Sequence, residues 1–222
     1  MSEKTSDIAK LIDYAVLKPD ATPSDIEKAC RESIGYGFHA LCVNPCYVHL
    51  AASRLRGSGV KVCAAVSFPF GASTAKVKAL EVAKAIEDGA EEVDVVANIG
   101  IIKSHSWKDF QEEARQIVGA AGRAVVKIII EVGYLSKQEI MRCCEILADV
   151  GVDFVKTCTG YGPRGVMKSD VELLKRVCRG RVKVKAAGGI RSLRQVLELV
   201  EAGADRIGTS SGPLIMESLE RI

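Results

Sequence analysis

Two lysines occupy positions where a charge is costly. Lys156 lies within Asp153-Phe-Val-Lys-Thr-Cys-Thr-Gly160 and Lys185 within Val182-Lys-Val-Lys-Ala-Ala-Gly-Gly189. Both segments are short, rich in β-branched residues and closed by glycine, the pattern of strands in a buried parallel sheet. A lysine drawn into such a strand must shed its proton or find compensating charge, because desolvation disfavours the ammonium. A neutral amine is a nucleophile that forms a Schiff base with a carbonyl compound. The competing reading places each lysine near a strand end, with its long stem reaching water. Two lysines at equivalent places on two strands favour the chemical reading.

The elements that position them are marked by a recurring glycine. Gly37, Gly89, Gly151 and Gly203 each precede a strand-like run: Phe-His-Ala-Leu-Cys42, Ala-Glu-Glu-Val-Asp94, Val-Asp-Phe-Val-Lys156 and Ala-Asp-Arg-Ile-Gly208. Such a glycine closes the preceding helix in the left-handed conformation. The intervals are each about two βα units long, so another strand is expected inside each. Val60–Ser67, Val125–Glu131 and Val182–Ala186 supply these, and Ile12–Leu17 comes first, giving eight strands. Helical patterns run over Ser73–Asp88, Trp107–Val118, Ser136–Val150 and Ser192–Ala202. The first carries Val77, Leu80, Ala83 and Ile86 along one stripe, and the last carries Leu193, Val196, Leu197 and Val200. Alternating strands and helices with no Pro-, Gly- or Ser-rich linker predict an α/β chain: one (β/α)8 (TIM) barrel over residues 1–222, with a short N-terminal helix. An open doubly wound sheet is disfavoured because no G-x-G-x-x-G follows the first strand.

Composition agrees with such a core and excludes several function classes. The chain has 222 residues, 48% of them hydrophobic and only 5% aromatic, so Val, Ile, Leu and Ala must build the interior. Its net charge of +3 comes from scattered basic residues, which argues against a nucleic-acid surface. No apolar run reaches the roughly 18 residues of a membrane span. The polar start, Met1–Asp7, lacks a signal peptide's apolar stretch, so a cytoplasmic location with reduced cysteines is expected. The eight cysteines are then read mostly as small buried hydrophobes. Cys42, Cys46 and His49 are spaced loosely like metal ligands, but Pro45 intervenes and no second ligand cluster exists, so no metal and no cofactor is expected.

Strand parity gathers the polar residues at the carboxyl ends of the strands, where barrel active sites lie. Asp13, Asp94, Lys127, Glu131, Lys156 and Lys185 are expected to share one cavity, where alternating signs compensate one another. Lys127 with Glu131 is alternatively a purely structural ion pair. One lysine would be the nucleophile, a neighbouring ammonium would favour its neutral form, and an aspartate would move protons. His39, His49 and His105 are scattered and read as structural or surface residues. Lys183 points inward by parity and could meet solvent at the barrel floor. A phosphate cradle is expected in Thr157-Cys-Thr-Gly-Tyr-Gly162, Ala187-Gly-Gly-Ile190 and Gly208-Thr-Ser-Ser-Gly212. Glycines there admit backbone N–H groups to an anion, and hydroxyls add donors. The expected ligand is a small phosphorylated carbonyl compound. Candidate binding residues are Asp13, Cys42, Lys127, Thr159, Gly160, Gly188, Gly189, Ser210 and Ser211.

With these motifs in place, the chain resembles the deoxyribose-phosphate aldolases, which are Schiff-base (class I) aldolases. The resemblance runs from Ile12 to Gly212 and is most specific at Glu92-Val-Asp-Val-Val96, Asp153-Phe-Val-Lys-Thr157 and Lys185-Ala-Ala-Gly-Gly-Ile-Arg191. It implies that Lys156 is the Schiff-base lysine, Asp94 the proton donor and acceptor, and Lys185 the lysine that tunes Lys156. It also implies reversible cleavage of 2-deoxy-D-ribose 5-phosphate to D-glyceraldehyde 3-phosphate and acetaldehyde, no cofactor, and a homodimer or homotetramer. Two departures stand out. Asp13-Tyr14-Ala15 replaces a usual Asp-His-Thr, and Tyr161–Met167 replaces a more glycine-rich loop, with Arg164 as either a phosphate contact or a solvated residue. A Schiff-base barrel for another phosphorylated sugar, and a non-catalytic sugar-phosphate binder, remain as rivals.

Overall fold

In the computed structural model, which describes residues 8–220, eight parallel strands close into a barrel in sequence order. They are β1 (Ile12–Val16), β2 (Ala40–Val43), β3 (Lys61–Val66), β4 (Glu92–Val96), β5 (Val125–Ile129), β6 (Phe154–Lys156), β7 (Lys183–Ala187) and β8 (Arg206–Thr209). Closure follows from β1 pairing with both β2 and β8, so no strand edge is left open. Register sets the site: Asp94 lies beside Lys127, Lys156 beside Lys185, and Lys185 beside Arg206. The expected N-terminal helix lies mostly outside the described residues.

The strands alternate as a buried sheet requires. On β5, Val126 and Ile128 face the helices while Lys127 and Ile129 take the opposite parity. Inside the barrel, Ala40, Cys42, Cys63 and Ala65 form a small apolar cluster joined by Ala15, Leu17 and Phe68. These short side chains leave volume for the long cationic stems of the other strands.

Helices α1 (Pro23–Tyr36), α2 (Val48–Leu55), α3 (Ala75–Glu87), α4 (Ile99–Lys103), α5 (Trp107–Ala121), α6 (Lys137–Val150), α7 (Lys168–Cys178), α8 (Leu193–Glu201) and α9 (Gly212–Glu220) surround the sheet. Their ends are chemically specified. Ser136 and Glu139 make a reciprocal capping box on α6, Ser192 and Gln195 do so on α8, and Gly37 and Gly151 take left-handed C-caps.

The expected apolar stripe of α3 is not its buried face. Val77 and Leu80 are 50% and 70% exposed, while Lys78, Val82 and Ala85 are buried. Lys78 turns inward because it has a partner: its Nζ donates to Glu113 Oε2 of α5 and to the Val96 carbonyl, both at 2.8 Å. Glu113 Oε1 in turn accepts from the Asn98 N–H at 2.9 Å, so this buried pair holds the end of β4. On α8, Leu197 likewise points to solvent, and Leu199 takes the buried place beside Leu193 and Val196.

Candidate active site

At the heart of the barrel, Asp94 is surrounded by three ammoniums. Its Oδ2 accepts from Lys156 Nζ and Lys185 Nζ, each at 2.7 Å, and its Oδ1 lies 3.0 Å from Lys127 Nζ. Lys185 also donates to Asp13 Oδ2 at 2.5 Å, and Lys127 contacts Glu92 Oε2 at 2.5 Å. Arg206 completes the lower layer, at 2.9 Å from Asp13 Oδ1 and 3.5 Å from Glu92 Oε2. Four cations thus face three carboxylates: Lys127, Lys156, Lys185 and Arg206 against Asp13, Glu92 and Asp94.

The electrostatics follow from that count. Burial alone would raise the Asp94 carboxyl, but the ammoniums of Lys127, Lys156 and Lys185 hold it well below the usual carboxylate range. Burial opposes charge on Lys127 and Lys185 as well. The surrounding carboxylates outweigh it, Asp94 foremost for Lys127 and Asp13 foremost for Lys185, and both ammoniums are pushed above their ordinary range. Glu92, despite its burial, is lowered by His39, Lys127 and Arg206.

Lys156, Cys42, Thr159, Gly160, Lys185, Gly188, Gly189 and Ser210 line a cavity of about 550 Å³ at the carboxyl ends of the strands. Asp13 and Lys127, expected to bind substrate, do not line it. They are fully buried and form the charged layer below. Ser211 is also absent from the wall, its N–H donating to Thr209 Oγ1 at the turn into α9. Glu131 does not join the cluster and makes no pair with Lys127. Strand β5 ends at Ile129, so parity no longer governs Glu131, whose left-handed backbone (φ 50) turns its carboxylate to Thr159.

The three glycine-bearing loops are stitched to one another. Thr157 Oγ1 donates to the Ala187 carbonyl at 2.8 Å, Thr209 Oγ1 to the Ile190 carbonyl at 2.6 Å, and the Val166 N–H to the Gly188 carbonyl at 3.0 Å. Gly188 has φ 102 and a Cβ there would sit 2.7 Å from Cys158 Cβ, so glycine is needed for both conformation and closeness. Arg164 is not in the cavity wall: with 33% of its side chain exposed, it forms a two-pronged pair with Asp170, at 2.6 and 2.9 Å. Lys183 is exposed at the barrel floor, over the Phe154 ring.

Sequence reasoning missed Cys63, Arg206 and His39. The Cys63 thiol donates to Asp94 Oδ1 at 3.2 Å and receives Lys127 Nζ at 3.5 Å, so it is a polar link where a small hydrophobe was expected. Strand register was the available signal, since Cys63 lies beside Glu92, two register positions below Asp94 and on the same face of the sheet. His39, read as a structural or surface residue, is tied into the charged layer by a 2.9 Å bond to Glu92, a partner the sequence reading did not name. Among the described residues, two groups bring ligand atoms within 4.8 Å of one another, Cys42–Cys63–Asp94 and Asp13–His39–Glu92. Their carboxylates are already matched by lysine and arginine, whose charge opposes a metal ion. All eight cysteines are free.

A closed (β/α)8 barrel with a lysine–carboxylate cluster under an open cavity has the parts that an enzyme acting on a carbonyl compound through lysine requires. The chain belongs to the DeoC/LacD family of aldolases, whose model matches residues 8–216. It is 44% identical to the deoxyribose-phosphate aldolase of Caldanaerobacter subterraneus subsp. tengcongensis, over 99% of this chain and 96% of that one. It is 47% identical to the deoxyribose-phosphate aldolase of Thermococcus kodakarensis, over 95% of this chain and 96% of that one. Among solved structures it is similar to an aldolase designated QR15 (TM-score 0.93, 43% identity, 97% of this chain and 96% of that one). A deoxyribose phosphate aldolase from Aeropyrum pernix, described as tetrameric, superposes with a TM-score of 0.91 at 34% identity, over 97% and 92% of the two chains.

Proposed function

We propose that this chain is a class I aldolase that reversibly cleaves 2-deoxy-D-ribose 5-phosphate to D-glyceraldehyde 3-phosphate and acetaldehyde, with Lys156 as the Schiff-base residue. The observation that carries the reading is the charge count. Lys127 pairs with Glu92, Lys185 with Asp94 and Arg206 with Asp13, which uses each carboxylate once. Lys156 is then the surplus amine, and it is the least buried of the three clustered lysines, with 5% of its side chain exposed against 0% and 1% for Lys127 and Lys185. Its Nζ donates to Asp94 Oδ2 at 2.7 Å, so that carboxylate is placed to take its proton and leave a nucleophilic amine facing the cavity.

The steps follow from that arrangement. The amine attacks the aldehyde carbon, and the carbinolamine loses water to give an iminium. Asp94 Oδ2, shared by Lys156 and Lys185, receives and returns the protons, with the Lys185 ammonium as a neighbouring donor. The iminium accepts the electron pair of the bond to C3 as that bond breaks, the C3 hydroxyl loses its proton, and glyceraldehyde 3-phosphate departs. The enamine left on Lys156 takes a proton at carbon, and hydrolysis frees acetaldehyde and the amine. The loops carrying Gly160, Gly188, Gly189 and Ser210 bind the phosphate and hold the sugar over Lys156. We also take the enzyme to be cytoplasmic and to act as a homodimer or homotetramer, an assembly supported by the tetrameric Aeropyrum pernix relative.

Turnover of 2-deoxyribose 5-phosphate by the wild type and by Lys156→Ala tests the reading. Cleavage by the wild type and none by the variant is expected. Near-normal cleavage by Lys156→Ala would overturn it.

A further inference from the structure

Glu131 is buried at a place where folding gains little from it. Only 3% of the residue is exposed, and its backbone is left-handed, a conformation non-glycine residues rarely adopt. One carboxyl oxygen, Oε1, is buried without a partner among the described residues, and a buried polar atom left so is costly. The Arg164 guanidinium beyond it is committed to Asp170. The other oxygen, Oε2, is used twice by one residue. It accepts from the Thr159 N–H at 3.0 Å and from the Thr159 hydroxyl. The Thr159 hydroxyl in turn accepts from the Tyr161 N–H at 3.0 Å.

We propose that Glu131 is a positioning residue of the active site: its buried carboxylate fixes the Thr159–Tyr161 turn in the cavity wall and leaves the Thr159 hydroxyl as an acceptor for a hydroxyl of the substrate. Both hydrogens of Thr159, on nitrogen and on oxygen, are directed at Glu131, so this residue does not offer them to a phosphate. The hydroxyl donates once and accepts once, which leaves it one further lone pair, and Thr159 is part of the cavity wall. The packing is built for this contact. A Cβ at Gly162 would lie 2.6 Å from Glu131 Cδ, and one at Gly133 would lie 3.0 Å from Pro163 Cγ, so two glycines let the turn settle onto the Glu131 segment.

This inference rests on the aldolase reading, and its test separates the two. Borohydride trapping of acetaldehyde on Lys156 reports the Schiff base without requiring the turn. Steady-state cleavage of 2-deoxyribose 5-phosphate reports substrate placement. Glu131→Ala should trap acetaldehyde as the wild type does while its KM rises about tenfold or more and kcat falls less, as loss of ordered hydrogen bonds to the turn requires. Glu131→Gln, whose amide oxygen still accepts from Thr159, should restore most of the KM. Gly162→Ala, which keeps the carboxylate but displaces it, should raise KM in the same direction and covers the case in which Glu131→Ala does not fold. An unchanged KM in Gly162→Ala and in a folded Glu131→Ala would overturn the inference, as would loss of trapping in a folded Glu131→Ala. Absence of trapping in the wild type would overturn the aldolase reading itself, and this inference with it.

Discussion

Replacing Asp94 by asparagine removes one charge and no volume, so it isolates the carboxylate's role. In the native barrel Asp94 is fully buried and serves three ammoniums, at 2.7, 2.7 and 3.0 Å. Removing one partner of a single buried ion pair costs about 3–5 kcal/mol. Lys127 keeps Glu92 and Lys185 keeps Asp13, so the charge truly orphaned is one ammonium, and the expected penalty at pH 7 stays within that range. The sign of its pH dependence is fixed. The variant holds four potential cations against two carboxylates, and raising the pH lets lysines deprotonate, so the penalty must shrink. Urea unfolding of both proteins at pH 7 and pH 9.5 measures this directly. A penalty of about 3 kcal/mol or more at neutral pH, clearly smaller at pH 9.5, is expected. A penalty below about 1 kcal/mol, or one equal at both pH values, would refute the idea that Asp94 is the cluster's central counter-charge.

Three further outcomes follow from the same geometry. The Asp94 carboxyl is depressed in the folded state, so its contribution is complete above its unfolded pKa of about 3.9 and is lost as pH falls below it; acid unfolding of the wild type should steepen there, and Asp94→Asn should flatten it. Lys78→Met should cost about 3–5 kcal/mol by stranding Glu113, and adding Glu113→Leu should return most of that loss in thermal or urea melts. Gly208→Ala, whose Cβ would lie 3.0 Å from Lys185 Cε, should lower kcat at least tenfold by displacing Lys185 from Asp94, with a small change in melting temperature.

Much of this site was readable before any coordinates, for a simple reason. Strand parity is a strict period of two, so once eight strands were recognised, Asp94, Lys156 and Lys185 had to converge. The glycines that close α1 and α6 were legible because their left-handed caps have few substitutes. Parity failed at Glu131 because the strand ended first, and nothing in Ile-Ile-Glu marks the end of a ladder. It also failed to say how deep a residue lies, so Asp13 and Lys127 were assigned to the cavity when they belong beneath it. On α3 hydrophobicity misled. Lys78 displaced Val77 and Leu80 from the buried face because its ammonium meets Glu113, a partner 35 residues away that no local pattern reveals. Cys63 was hidden by its own chemistry, since a thiol reads as a hydrophobe until a carboxylate is placed 3.2 Å from it.

The account depends on Lys156 forming a covalent imine. Wild-type protein incubated with acetaldehyde and borohydride, digested and mapped by mass spectrometry, should carry a single ethyl group on Lys156 and none on Lys127 or Lys185. No stable adduct, or one confined to Lys185, would contradict it.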